Sequence, residues 1–195
     1  MTDNIKDQEP EFVPDKWIDK ARSNAYSATD DTHAFLTVNW GSLALDGRRI
    51  HYDPTIPFHD DPIIEFSADR MELVVEWLKS DEKMKSIAKC DPTLLLKAAR
   101  TCKKESSVLK MYFAKSSSTL TILPQMQSIP KEFSVPEVHC TYTGSKAEIL
   151  IDAKYLIDAL MGMDKKKQVV MSFDKKSIHI TDGNRIAFVM LMAVR

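Results

Sequence analysis

Three cations at helical spacing are the first residues in this 195-residue chain that could do chemistry. Lys97, Arg100 and Lys104 stand three and then four positions apart, so a helix would carry them on one face. Lys16 and Lys20 share one side of an earlier helix, and Lys154 with Lys165-Lys166-Lys167 puts cations at both ends of a later one. Such faces suit phosphate oxygens, through contacts that are electrostatic, independent of base sequence and weakened by salt. They equally suit an ordinary solvated helix face. Other chemistry has less material. His59-Asp60-Asp61, or His51 with Asp53, can be sketched as a metal site, but these residues lie in or beside the proline-rich stretch 53–62 without a ligand triad at recognisable spacing. His33, His139 and His179 are isolated, and five glycines leave little for a phosphate-cradling loop. Cys90, Cys102 and Cys140 are odd in number and lack the close pairing of a zinc site, which reads as free thiols in a reducing cytoplasm. No catalytic residue, cofactor or metal is assigned, and the expected action is binding rather than catalysis.

The elements that would position these cations can be read from periodicity. On the helix expected over 92–104, Leu95, Ala98, Ala99 and Cys102 form the buried stripe opposite the cations. From Ile149 to Arg195 the chain reads as strand, short helix and three strands. Tyr155, Leu156, Ala159, Leu160 and Met163 mark the helix, while Val169, Met171 and Phe173 alternate as a strand. Asp174-Lys175-Lys176 and Asp182-Gly183-Asn184 are the turns. A last strand over 186–194 has apolar residues on both faces, so it is either buried on both sides or keeps one side for a partner. Nearer the N-terminus a helix from Asp15 to about Asn24 turns Trp17, Ile18 and Ala21 inward, and strands follow over 35–38, 43–45 and 48–52. A strand over 63–66 and an amphipathic helix over 68–80 come next.

These units repeat. Placing Asp91 on Asp152 sets Leu95 on Leu156, Ala98 on Ala159, Val108 on Val169, Leu109 on Val170 and Tyr112 on Phe173. Leu120 and Ile122 then fall on Ile178 and Ile180. A fainter copy matches residues 16–21 to 154–159, and Asp46-Gly47-Arg48-Arg49-Ile50 to Asp182-Gly183-Asn184-Arg185-Ile186. With 44% apolar and 28% charged residues, the chain has the balance of a soluble globular protein. No apolar run reaches the roughly 20 residues of a membrane helix. A net charge of −1 excludes a polyanion binder over the whole surface but allows a basic face. Residues 1–11 are polar and expected to be disordered, and the expected domain boundary is Ser80-Asp81-Glu82-Lys83, dividing 12–84 from 85–195.

At this point the residues resemble a family. Cys140-Thr141-Tyr142-Thr143-Gly144, followed by Ile149-Leu150-Ile151 and Lys154-Tyr155-Leu156, resembles the "TYxG…I.FN..YL" pattern of the bacterial DNA polymerase III β subunit, the sliding clamp. Leu191-Met192-Ala193-Val194-Arg195 resembles that family's "(I/V)MP(M/V)R" ending, and Leu45-Asp46-Gly47-Arg48-Arg49-Ile50 its "TDGHRL" turn. The likeness covers about 85–195 well and 12–52 weakly. It implies an α+β DNA-clamp (processivity) fold built from repeated β-α-β-β units, with helices on one face of antiparallel sheets. It also implies a cytoplasmic homo-oligomer that encircles double-stranded DNA without reading its sequence and binds DNA polymerase and other partners through short peptides. The implied DNA contacts are Lys16, Lys20, Lys97, Arg100, Lys104 and Lys154. The implied peptide pocket joins Gly47, Arg48, Arg49 and Ile50 to Met192, Ala193, Val194 and Arg195. Three departures stand out: Arg48 replaces the family's histidine, Ala193 replaces its proline, and the chain is about half the usual length. The helix over 68–80 also carries Asp69, Glu72 and Glu76, which suit a DNA-facing wall poorly.

Overall fold

The computed structural model describes residues 15–21, 38–39, 43–45, 48–56, 84–115, 118–129 and 132–193. The strand expected over 63–66 and the helix expected over 68–80 lie outside these residues, as does the stretch 1–11. Three aspartates start the three described helices. Asp15 caps α1 (Lys16–Asp19), Asp91 caps α2 (Pro92–Lys103) and Asp152 caps α3 (Ala153–Met161). In each case the carboxylate accepts the backbone N–H groups two and three residues on, which the first helical turn cannot satisfy by itself. Pro92 follows Asp91 at the first helical position, where its missing N–H costs nothing.

The strands are β1 (Val38–Asn39), β2 (Leu43–Leu45), β3 (Arg49–Tyr52), β4 (Ser86–Cys90), β5 (Val108–Phe113) and β6 (Thr119–Pro124). They continue with β7 (Glu137–Thr143), β8 (Ala147–Asp152), β9 (Val169–Phe173), β10 (Ser177–Thr181) and β11 (Ile186–Met190). All pairings are antiparallel and follow the order β1-β2-β3-β11-β10-β9-β4-β7-β6-β5-β8. β11 therefore joins the N-terminal strands to the rest through β3, with Phe188 opposite Ile50. The order strand, helix, three strands occurs over 86–143 and again over 147–190. β4 pairs with β9 through Ser86↔Phe173 and Cys90↔Val169, and β8 pairs with β5 through Ala147↔Phe113 and Ile151↔Leu109.

Two sequence expectations change. First, Leu109, Met111 and Phe113, rather than Val108 and Tyr112, occupy the buried positions that Val169, Met171 and Phe173 hold in β9. Counted from the capping aspartate, β5 enters its sheet one residue later than β9 does. Second, β11 ends at Met190 rather than running to 194. The Leu191 N–H still follows the β10 register to the Lys176 carbonyl, while on the other edge, where the Met190 N–H meets Arg48, the Met192 N–H goes to the Leu150 carbonyl, so past Met190 β8 takes the place of β3. Ala187, Phe188 and Val189 are buried, in keeping with a strand apolar on both sides. Asp174 and Asp182 shape the two hairpin turns by accepting the backbone N–H groups that follow them, and Gly183 takes the positive φ of 95° that its turn requires. One core unites the sheet with the helices and includes Leu95, Phe113, Ile151, Leu156 and Ile180.

Candidate functional site

The two helix faces with the expected cations differ. α2 buries Leu95, Leu96, Ala98, Ala99 and Cys102 and exposes Lys97, Arg100 and Lys104, as the spacing predicts. Lys103 is exposed beside them and extends the basic face by one residue. Its position three residues after Arg100 gives it the same helical spacing as the others. α3 is buried on nearly every side: Tyr155, Leu156, Ile157, Asp158, Ala159 and Leu160 are all inside. Lys154 in its first turn is half-buried. The reason is α1, which lies over α3 and fixes itself there with the Trp17 indole N–H, donating to the Asp158 and Ala159 carbonyls at 3.0 and 3.2 Å. Lys16 on α1 is exposed and Lys20 half-buried. The helical layer thus has two basic flanks, α2 and α1, and a nearly uncharged middle.

The expected peptide pocket is divided. Gly47, Val194 and Arg195 lie outside the described residues. Arg48 is exposed, and its carbonyl accepts the Met190 N–H at 2.8 Å, so the β3 turn does lie beside the C-terminal strand. Arg49 and Ile50 instead point into the core, each 1% exposed. The Arg49 guanidinium pairs with Asp158 at 2.8 Å and lies 4.6 Å from the Tyr155 ring, and its Nε donates to the Ala21 carbonyl. Met192 and Ala193 are exposed, and Met192 has crossed to Leu150.

Arg185 is a structural counterpart of Arg49 that sequence reasoning aligned but assigned no part. Its guanidinium pairs with Asp53 at 2.7 Å, donates to the Gly162 carbonyl and lies 5.1 Å from the Trp17 ring. Burial alone would raise the Asp53 carboxyl, but hydrogen bonds from Thr55 and Arg185 outweigh it and hold the group below its ordinary value.

His51 and Asp53 are therefore engaged elsewhere than in a metal site. His51 stacks on Trp17 at 4.5 Å, and its Nδ1 is 2.8 Å from the Trp17 carbonyl. Among the described residues no group of three His, Cys, Asp or Glu side chains is placed to hold a metal ion. His59, Asp60 and Asp61 lie outside them. Burial, only partly offset by that carbonyl, lowers the His51 pKa from 6.5 to about 4. Because the folded value lies below the unfolded one, the unfolded chain takes up the proton first. Stability is expected to fall by about 1.4 kcal/mol for each pH unit between 6.5 and 4. Urea unfolding of His51→Gln against pH should show that slope removed, and an unchanged slope would assign it to another group.

No protein-family model matches the chain, and no curated protein matches it in sequence. Its fold, however, is that of solved DNA polymerase sliding clamps. The Pseudomonas aeruginosa clamp superposes with a TM-score of 0.64 over 91% of this chain at 16% identity, and the Bacillus subtilis clamp with 0.62 over 86% at 14%. The Thermotoga maritima DNA polymerase III β subunit gives 0.52 over 78% at 16%. The chain spans 64, 59 and 41% of those proteins' lengths respectively. The resemblance read from residues 140–156 and 191–195 thus extends to an α+β clamp fold with antiparallel sheets. Among the described residues no helix is long and apolar enough to cross a membrane.

Proposed function

We propose that this protein is a clamp-like DNA-replication accessory factor, acting in the cytoplasm by binding rather than catalysis. The clamp fold over most of the chain carries the reading. In it, the helical layer faces duplex DNA, with Lys97, Arg100, Lys103 and Lys104 from α2 and Lys16 and Lys20 from α1 meeting phosphates, and Lys154 at the margin. Polymerase or other partner peptides bind at the residues the resemblance implies, Gly47 and Arg48 with Met192, Ala193, Val194 and Arg195, while Arg49 and Ile50 brace Arg48 from the core. Residues 85–195 form one clamp domain made from a duplicated β-α-β-β module, and 12–84 form a shortened second one.

The strand registers support the duplication. Lys89 stands opposite Thr141 as Leu150 stands opposite Met192, and Leu120 opposite Val138 as Ile178 stands opposite Val189. By the same correspondence, residues 135–138 match the β11 edge that pairs with β3. Val135 there is 41% exposed, and this edge is where a second copy would join to close a ring.

Arg100→Glu with Lys104→Glu tests the DNA reading. Retention on closed circular DNA should drop, and the slope of log affinity against log salt should fall by about two, one for each lost phosphate contact. The second reading, a clamp-derived module that binds replication proteins without encircling DNA, draws on the uncharged middle of the helical layer. Equal retention on circular and linearised DNA would favour it and exclude encirclement.

A further inference from the structure

Cys90 and Cys140 stand directly opposite each other where β4 meets β7. Opposite residues of a sheet share a face, and here that face is the buried one: Ala88 and Cys90 on β4, Val138, Cys140 and Tyr142 on β7. The kind of pairing matters as well. The Cys140 N–H donates to the Ser118 carbonyl at 2.8 Å, on the β6 side. In an antiparallel strand the N–H and C=O of one residue point to the same neighbour, so neither turns to β4. Cys90 and Cys140 are therefore a pair without backbone hydrogen bonds between them. Such pairs bring their Cα atoms to about 4.5 Å, within the roughly 4.4–6.8 Å that a disulfide spans. The backbone already holds the two sulfurs within reach of one another.

Their surroundings set the two thiols apart. Cys90 is 0% exposed and Cys140 7%. Burial raises both thiols above their ordinary value, and a hydrogen bond from Cys90 draws Cys140 part of the way back. Cys140 is thus the sulfur that a small reagent meets first and the better thiolate of the two. Cys102 is buried on α2, with its S–H on the Ile122 carbonyl at 3.4 Å, and takes no part in the strand pair.

We propose that Cys90 and Cys140 are a reversible oxidation site, which hydrogen peroxide closes into a disulfide between β4 and β7. The Cys140 sulfur attacks one peroxide oxygen, the O–O bond breaks, and Cys140 becomes a sulfenic acid as water leaves. The Cys90 sulfur then attacks the Cys140 sulfur, the S–O bond breaks and a second water leaves. Two thiols and one peroxide become one disulfide and two waters, and the peroxide gains the two electrons that sulfur loses. A dithiol reverses the bond by exchange. Its position gives the bond a consequence. The β4–β7 pairing is where β7, β6, β5 and β8 join the rest of the strand order. α2 begins at Pro92, directly after Cys90 and Asp91, so the bond also fixes the root of the helix that carries Lys97, Arg100 and Lys104. This goes beyond the clamp reading and does not depend on it, because the site is made by strand pairing alone.

The test treats the folded protein with hydrogen peroxide, unfolds it, alkylates the remaining thiols and weighs the tryptic peptides. Those containing Cys90 and Cys140 should appear joined and lighter than their sum by two hydrogens, with Cys102 alkylated. Closing the chain between 90 and 140 restricts the unfolded state, so the melting temperature should rise by about 10 °C and return with dithiothreitol. In Cys90→Ser, Cys140 lacks its resolving partner and should take up a dione reagent specific for sulfenic acid. In Cys140→Ser that label should be absent from Cys90, and Cys102→Ser should form the bond as the unaltered protein does. The proposal is overturned if Cys90 and Cys140 both remain alkylatable after peroxide. It is overturned equally by a bond through Cys102, by a bond that forms only when peroxide is added in urea, or by a bonded protein that melts no higher.

Discussion

Replacing Asp158 with alanine is expected to lower the unfolding free energy by about 3 kcal/mol, because it strips a counter-charge from an arginine that has no access to water. The Arg49 side chain is 0% exposed and that of Asp158 11%, at a separation of 2.8 Å. In that setting water cannot take over from the lost carboxylate, whereas a surface ion pair would contribute about 1 kcal/mol or less. Asp158 is the carboxylate that pairs with this guanidinium among the described residues, and the Ala21 carbonyl and Tyr155 ring that also face it carry no full negative charge. The effect should reach beyond α3. Arg49 sits on β3, and β3 connects the N-terminal strands to β11, so this ion pair ties the helical layer to the sheet junction. Urea unfolding of Asp158→Ala, and of Arg49→Met with Asp158→Leu, separates the two contributions. The double variant removes both charges together and should recover most of the loss. If the single variant unfolds within about 1 kcal/mol of the unaltered protein, Arg49 has enough other compensation and this account of the junction is wrong.

That arginine also marks where sequence reading stopped. Arg49 follows an Asp-Gly turn, where a charged side chain is expected at the surface, and its partner is 109 residues away. Nothing local signals such a pair. Local signals served well where local physics decides: Asp91 and Asp152 align in sequence because each caps a helix, and the apolar stripe of α2 is buried as spaced. β5 was harder. Val108, Leu109, Met111, Tyr112 and Phe113 place apolar residues on both faces, so period alone could not choose between two registers one residue apart. The pairing Phe113↔Ala147 makes that choice. In the last strand the alternation runs past Met190 unchanged, and what changes there is the partner on one edge, from β3 to β8, which a pattern does not encode.

The covering of α3 by α1 has its own expected result. Gly162→Ala should cost about 2 to 3 kcal/mol, although alanine is ordinarily the better residue in a helix. Gly162 follows the last turn of α3 with a φ of −89°, a conformation any residue adopts, so backbone strain is not the reason. The obstacle is Trp17. A Cβ at position 162 would overlap the indole ring, which is held from several directions. It donates to the Asp158 and Ala159 carbonyls, stacks on His51 and lies beneath Arg185, whose Nη1 in turn donates to the Gly162 carbonyl. The indole cannot shift without giving up those contacts together, and α1 would lift with it. A Trp17→Ala background removes the overlap and should reverse the sign, with Gly162→Ala becoming neutral or stabilising by about 0.5 to 1 kcal/mol. Unfolding free energies of the four proteins measure that coupling, and equal losses in both backgrounds would mean that the glycine serves something other than the tryptophan. With the coupling present, the contact between the two helices explains why α3 has no basic face: the room that cations would occupy is filled by α1.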